Sequence, residues 1–247
     1  SEVCQFIDAN KDRPFFVYLP CHLVHTPLQA KKELIEKYKA LVKDGANHTN
    51  AQYAAMIESL DDEVGAILKK LDELKLRERT VVVFTSDNGG LMGPTHNAPL
   101  RDGKGTPYEG GIRVPLIVRW PGVVRPGSIC RTPVTSVDCF PTILAAAGVP
   151  LPADRAIDGV SLLPVLAEKG PLGRESLYWH FPHYRGDVMP YSIVRAGDWK
   201  LLSAADFGAG HEPAPLSNYI EVVADDFVPP PNFEQGNQFV TKTLRDE

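Results

Sequence analysis

Asp87 and Asn88 stand together at the end of the run Thr80-Val81-Val82-Val83-Phe84-Thr85, and Gly89-Gly90 follow at once. A carboxylate beside a side-chain amide offers hard oxygen donors, which suit Ca²⁺ or Mg²⁺ better than Zn²⁺. In an open parallel sheet, ligands collect beyond the carboxyl ends of the strands, where this pair would sit. Asp-Asn-Gly-Gly is also good turn material, so the pair alone divides evenly between metal site and turn. Two further groups shift that balance. Lys104 lies between Gly103 and Gly105 in a Gly-rich, cationic loop running from Leu100 to Arg113. A lysine with no bulky neighbours can approach an anion closely, as a point charge or a proton donor. His25, in Val24-His25-Thr26-Pro27, follows a second apolar run, Phe15 to Leu19. If the strands before these groups run parallel, all three converge on one cleft. Farther on, His180, Phe181, His183 and Tyr184 surround Pro182; there Trp179 and Phe181 are expected to pack a small sheet, and His183 to form a substrate-binding rim.

The elements that must position these groups are legible in the apolar pattern. Phe15-Phe16-Val17-Tyr18-Leu19, fenced by Pro14 and Pro20, predicts a buried strand. Lys31 to Lys43 predicts a surface helix. Thr49 or Asn50 then caps a longer one, whose apolar face runs Tyr53, Met56, Ile57, Leu60, Val64, Ile67, Leu68, Leu71, Leu74. That helix delivers the chain to the Val81–Phe84 run, which suits a strand covered on both faces. Pro115 to Trp120 predicts another core strand. Thr135 to Asp138 opens a helix through Phe140, Ile143, Leu144 and Ala147, which Gly148 ends. From Ser176 the short runs Tyr178–Phe181, Tyr191–Val194 and Trp199–Leu202, with Gly186 and Gly197-Asp198 between them, predict an antiparallel meander. A helix feeding a β-branched strand points to an α/β layer structure.

Composition bounds the function. The chain has 247 residues, of which 43% are hydrophobic, enough for one substantial core or a core with a satellite domain. A net charge of -5 gives no basic face for nucleic acid, and no apolar run approaches the length of a membrane span. Cys4, Cys21, Cys130 and Cys139 contain no CxxC pair, which argues against structural zinc; their even number permits one or two disulfides without requiring them, and buried, inert thiols are the expectation. Asn47-His48-Thr49 fits the glycosylation pattern, a triplet that also arises by chance. Ser1-Glu2-Val3-Cys4 is neither an initiator Met nor a signal peptide, so the sequence is expected to start inside a larger fold.

Three ordered blocks resemble the later part of the sulfatases, arylsulfatase-like members of the alkaline phosphatase superfamily. They are Arg13–Leu19 continuing to His25-Thr26-Pro27, Phe84–Gly90, and Gly103–Pro115. Asp138–Leu144 and Asp158–Leu163 resemble two further family blocks. The resemblance implies an α/β, alkaline-phosphatase-like, mostly parallel sheet flanked by helices, with a small C-terminal antiparallel subdomain. It would place the catalytic domain over residues 1–172 and the subdomain over 173–247. It implies calcium-dependent hydrolysis of sulfate esters, with Asp87 and Asn88 as ligands of one Ca²⁺. Lys104 would bind sulfate and protonate the leaving oxygen; His25 would contact the sulfate on the leaving-group side. The substrate would be a sulfated small molecule or glycan, in a periplasmic, secreted or lysosomal setting.

The family's nucleophile, a formylglycine aldehyde hydrate made from Cys or Ser in a Cys/Ser-x-Pro-Ser-Arg type motif, has no counterpart here. Cys139-Phe140-Pro141-Thr142 imitates its start, but Ile143 stands where Arg belongs. The family's early acidic ligands and Lys-x-His pair are missing as well, and two oxygens cannot hold an ion that takes six or more. Nucleophile and remaining ligands are therefore expected upstream, and this chain alone is expected to be inactive. After Leu202 the family's Leu-Tyr-Asp-Leu block is replaced by Tyr219–Val222 and Pro229-Pro230-Pro231. The alternatives are a phosphodiesterase or phosphonate hydrolase of the same superfamily, or an inactive module that binds sulfated glycans.

Overall fold

The computed structural model describes residues 1–43, 48–183, 190–204 and 220–224; Asn47, Tyr184, Gly186 and the triple proline lie outside them. The chain divides into two compact units. One comprises Ser1–Phe84, Leu91–His96 and Leu116–Pro126; the other comprises Thr85–Gly90, Asn97–Pro115 and Gly127–Glu247.

The first unit is built on its helices. Asn50 wins the cap of the long helix: its side chain accepts the Tyr53 N–H at 3.0 Å, and α3 runs Ala51–Glu73. Two shorter helices precede it, α1 (Glu2–Asn10) and α2 (Lys32–Leu41). α1 has no counterpart among the sequence expectations, although Ser1 caps it by accepting the Cys4 N–H. Its Ile7 closes a core cluster with Leu71 and Leu76, against which Val3, Phe15, Ile67, Leu74 and Val82 pack. Burial of side chains such as Leu71 contributes roughly 1.5–3 kcal/mol each. The predicted face of α3 is only partly right, since Ile57 is 48% exposed while Ala55, off the predicted stripe, is fully buried.

A 3-10 turn (Arg77–Arg79) leads from α3 into β1 (Val82–Thr85), which pairs with β2 (Leu116–Arg119). β1 alternates in burial and β2 exposes Ile117 between two partly covered neighbours, so neither strand is covered on both faces. Val82 reaches the core cluster, while Val83 on the opposite face is 39% exposed and Ile117 is 62% exposed. Successive strand residues point to opposite faces, so one covered face yields this alternation. The expected strand at Phe15–Leu19 is absent among the described residues. A strand needs a hydrogen-bonded neighbour, and this segment has none there; Phe15 packs inward while Phe16 and Tyr18 stay exposed.

The second unit carries the antiparallel meander, now with four strands: β3 (Ser176–Phe181), β4 (Tyr191–Ala196), β5 (Trp199–Ala204) and β6 (Ile220–Ala224). The register pairs Ala196 with Trp199 across the two-residue turn Gly197-Asp198, where Gly197 takes φ +55°. The expected helix is also here, as a 3-10 turn (Ser136–Asp138) running into α5 (Cys139–Ala147) and closed by Gly148 at φ 67°. A short helix, α4 (Glu109–Ile112), follows the Lys104 loop, and another, α6 (Leu163–Leu166), follows Asp158–Leu162.

Asp138 holds this unit's connecting segments together. It is fully buried, and its carboxylate receives the guanidinium of Arg174 at 2.7 and 2.8 Å. The backbone N–H groups of Thr135 and Val160 donate to the same carboxylate. Burial alone would push its carboxyl upward, but Arg174 and the two amides outweigh that and hold it below the usual carboxylate range. Such a group stabilises the fold above its unfolded pKa and loses that contribution as pH falls through its folded one. Asp138→Asn should therefore cost about 3–5 kcal/mol at pH 7, because Arg174 is left without its carboxylate. Urea unfolding at pH 7 and at pH 3 checks this: the gap between wild type and variant should shrink at the lower pH. A gap independent of pH would contradict it.

Candidate functional site

The loop Ser86–Gly90 leaves β1 under several local restraints. Thr85 Oγ1 donates to the Pro115 carbonyl at 3.0 Å, and Ser86 Oγ donates to the Asn88 carbonyl at 2.9 Å. The Asn88 N–H donates to Asp87 Oδ1 at 3.0 Å, and Asn88 Nδ2 donates to the Gly89 carbonyl at 3.0 Å. With its amide hydrogens turned to the backbone, Asn88 keeps its side-chain oxygen as an acceptor. Asp87 is exposed and Asn88 half-buried, so their oxygens suit a hard cation reached from solvent.

A second loop is stitched to the first through backbone groups. The Lys104 N–H donates to the Gly90 carbonyl at 3.0 Å, and the Gly89 N–H donates to the Gly111 carbonyl at 2.9 Å. A Cβ added at Gly89 would fall on the carbonyl of Gly110, and one at Gly110 on the carbonyls of Arg101 and Asp102. Glycine is required at both positions for close approach, whatever their dihedral angles. Asn97 adds a side-chain staple: its Oδ1 accepts the Gly90 N–H, and its Nδ2 donates to the carbonyls of Gly90 and Asp102. Sequence reading missed Asn97, because nothing in Asn97-Ala98-Pro99 separates it from an ordinary turn asparagine.

The Lys104 loop is also closed on itself. The Gly110 N–H donates to the Arg101 carbonyl at 2.8 Å, and the Arg101 guanidinium lies 3.5 Å from the centre of the Tyr108 ring. Inside, Thr106 bonds the Gly103 carbonyl through both its N–H (3.1 Å) and its hydroxyl (2.8 Å). Asp102, at φ 60°, accepts the Gly103 N–H at 2.8 Å. Lys104 is thus a half-buried lysine on a hydrogen-bonded frame rather than on a slack surface loop.

The other sequence candidates are placed as follows. His25 belongs to the first unit, exposed, with Nδ1 2.7 Å from the Thr26 carbonyl and its ring 5.5 Å from that of His22. His183 is exposed just past β3, edge-on to Phe181 at 5.3 Å. Phe181 and Trp179 pack on the Tyr191–Ile193–Leu202 cluster together with Tyr108 and Ile112, matching the packing role expected for them. Among the described residues no three His, Cys, Asp or Glu side chains gather for a metal, so Asp87 and Asn88 fit a hard cation by type but supply a minority of its ligands. All four cysteines are unpaired, yet Cys21 and Cys130 are exposed, not buried as expected. Burial, with Asp138 beside it, pushes the Cys139 thiol up, away from a nucleophile's range.

Residues 2–149 match the family model for sulfatases, and residues 103–208 match that for the C-terminal part of N-sulphoglucosamine sulphohydrolase. A sulfatase of Formosa agariphila is 44% identical over 201 residues, covering 75% of this chain and 36% of its own length. The steryl-sulfatase of Homo sapiens is 37% identical over 189 residues, covering 73% of this chain and 31% of its own. The solved structure of Ps i-CgsB in complex with k-i-k-neocarrahexaose superposes with a TM-score of 0.74 at 30% identity, covering 90% of this chain and 46% of that one. The chain thus spans about a third of the length of the curated relatives it matches. No described helix is long and apolar enough to cross a membrane. With its two loops, its mixed helices and strands and these matches, the chain belongs to the sulfatase family.

Proposed function

We propose that this chain supplies the cation-binding and lysine side of a calcium-dependent site for sulfate-ester hydrolysis. The stitching of the Asp87–Gly90 loop to the Lys104 loop, through Gly89, Gly90 and Gly111, carries the reading. A sulfate ester is a poor electrophile until its oxygens are neutralised, and its departing oxygen needs a proton. Asp87 and Asn88 hold one Ca²⁺ in this reading, and the ion, when bound, withdraws charge from the sulfate oxygens. Lys104 binds the sulfate and delivers a proton to the leaving oxygen. His25 contacts the sulfate on the leaving-group side, and His183 lies on the rim that meets the alcohol.

The formylglycine nucleophile and the remaining calcium ligands come, in this reading, from residues outside these 247, since no Cys/Ser-x-Pro-x-Arg motif occurs among them. β1 and β2 would then be two strands of a larger, mostly parallel sheet. The substrate proposed is a sulfated sugar, supported by the oligosaccharide in the complex of Ps i-CgsB. The compartment proposed is periplasmic, secreted or lysosomal. The matches described above are to sulfatases, and nothing in them favours a phosphodiesterase.

Three outcomes follow for steady-state hydrolysis of an aryl sulfate. In the protein at its natural full length, chelation with EGTA should abolish turnover and added Ca²⁺ restore it, and Asp87→Ala should lower kcat/KM by roughly a hundredfold or more. Turnover indifferent to both would contradict the cation assignment. Lys104→Ala should cost about 10²–10³ in kcat, as loss of an electrostatic stabiliser does; an unchanged kcat would contradict its role. These 247 residues expressed alone should show no turnover above background, and measurable turnover would remove the need for an external nucleophile.

A further inference from the structure

Lys200 is the second residue of β5, yet it is only 2% exposed. Its ammonium donates to Glu109 Oε1 at 2.8 Å, and Glu109 is the first residue of α4, directly after the Lys104 loop. The antiparallel register places Arg195 directly opposite Lys200 on the neighbouring strand. Like charges in that position repel, and the Glu109 carboxylate supplies Lys200 with a counter-charge that offsets this. Tyr108 and Ile112, on either side of Glu109, pack on the same face of the sheet, against Tyr191, Ile193 and Leu202. The Lys104 loop is therefore held at two ends. Asn97 and Gly90 fix its start, and the sheet fixes its close.

Stability is a weak reason to bury such a pair, because apolar residues of similar volume generally serve as well. A charge-assisted bond supplies a defined geometry instead. We propose that Lys200 and Glu109 are positioning residues for Lys104: the four-stranded sheet clamps the far end of the loop so that the Lys104 ammonium meets the sulfate group in one place. The sheet thereby takes part in catalysis without touching substrate. This rests on the reading that Lys104 engages the sulfate.

The test is a double-mutant cycle on kcat/KM for an aryl sulfate, in the protein at its natural full length. Lys200→Met, and Glu109→Met with Lys200→Met together, are each made in the wild type and in Lys104→Ala. The paired variant removes both members of the ion pair at once, so it carries the comparison should Lys200→Met alone fail to fold. Positioning predicts a loss of about 10–100-fold in the wild-type background. In the Lys104→Ala background the same changes should cost less than about threefold, because there is no longer an ammonium to position. An equal loss in both backgrounds would show a general effect on folding and overturn the proposal, as would a paired variant that retains wild-type activity. If Lys104→Ala alone has no effect, the underlying reading of Lys104 falls first, and that is visible before any cycle is closed.

Discussion

Gly89 lies so close to the Gly110 carbonyl that its position has no room for a Cβ. Everything proposed for the site depends on that contact. It lets the Gly89 N–H reach the Gly111 carbonyl and the Lys104 N–H reach the Gly90 carbonyl, so the two loops hold one geometry. The alternative for a loop rich in glycine is a large conformational entropy, roughly 1–2 kcal/mol for each residue left free. Backbone bonds and the Asn97 side chain take up that freedom here, which is what a site that must present a cation and an ammonium together requires.

Farther from the loops, the second unit relies on buried charge at two points. Asp138 gathers Arg174 and two backbone amides, and Glu109 receives Lys200. Both carboxylates tie segments distant in sequence, 36 residues apart in one case and 91 in the other. Leaving either partner alone in so dry a setting is costly, so each pair specifies a single arrangement more than it adds stability. The meander of β3–β6 is thus connected to the loop chemistry by an ion pair as well as by apolar packing.

Much of this was legible in the sequence because it is local. Asn50 as a cap, Thr135 to Asp138 opening α5, Gly148 ending it and Gly197-Asp198 turning the meander are all short-range signals. Asp87, Asn88 and Lys104 stood out by type, spacing and family order. Burial was less legible, since it depends on what covers a strand: Val81–Phe84 reads as covered on both faces, yet Val83 is exposed. Phe15–Leu19 has strand composition without a ladder among the described residues. Asn97 and Arg101 escaped notice because an asparagine and an arginine in such a loop read as ordinary turn and surface residues, and the Glu109–Lys200 pair because it joins residues 91 apart and a lysine inside an amphipathic strand ordinarily faces water.

The most direct measurement is kcat/KM for an aryl sulfate in a Gly89→Ala variant of the protein at its natural full length, with a thermal melt alongside. The added methyl group cannot be accommodated without parting the two loops, although it removes no charged or ligating atom. The account predicts a loss of about a hundredfold or more in a protein that still melts cooperatively. A Gly89→Ala enzyme within about twofold of wild type, an effect too small for displaced loops, would contradict it.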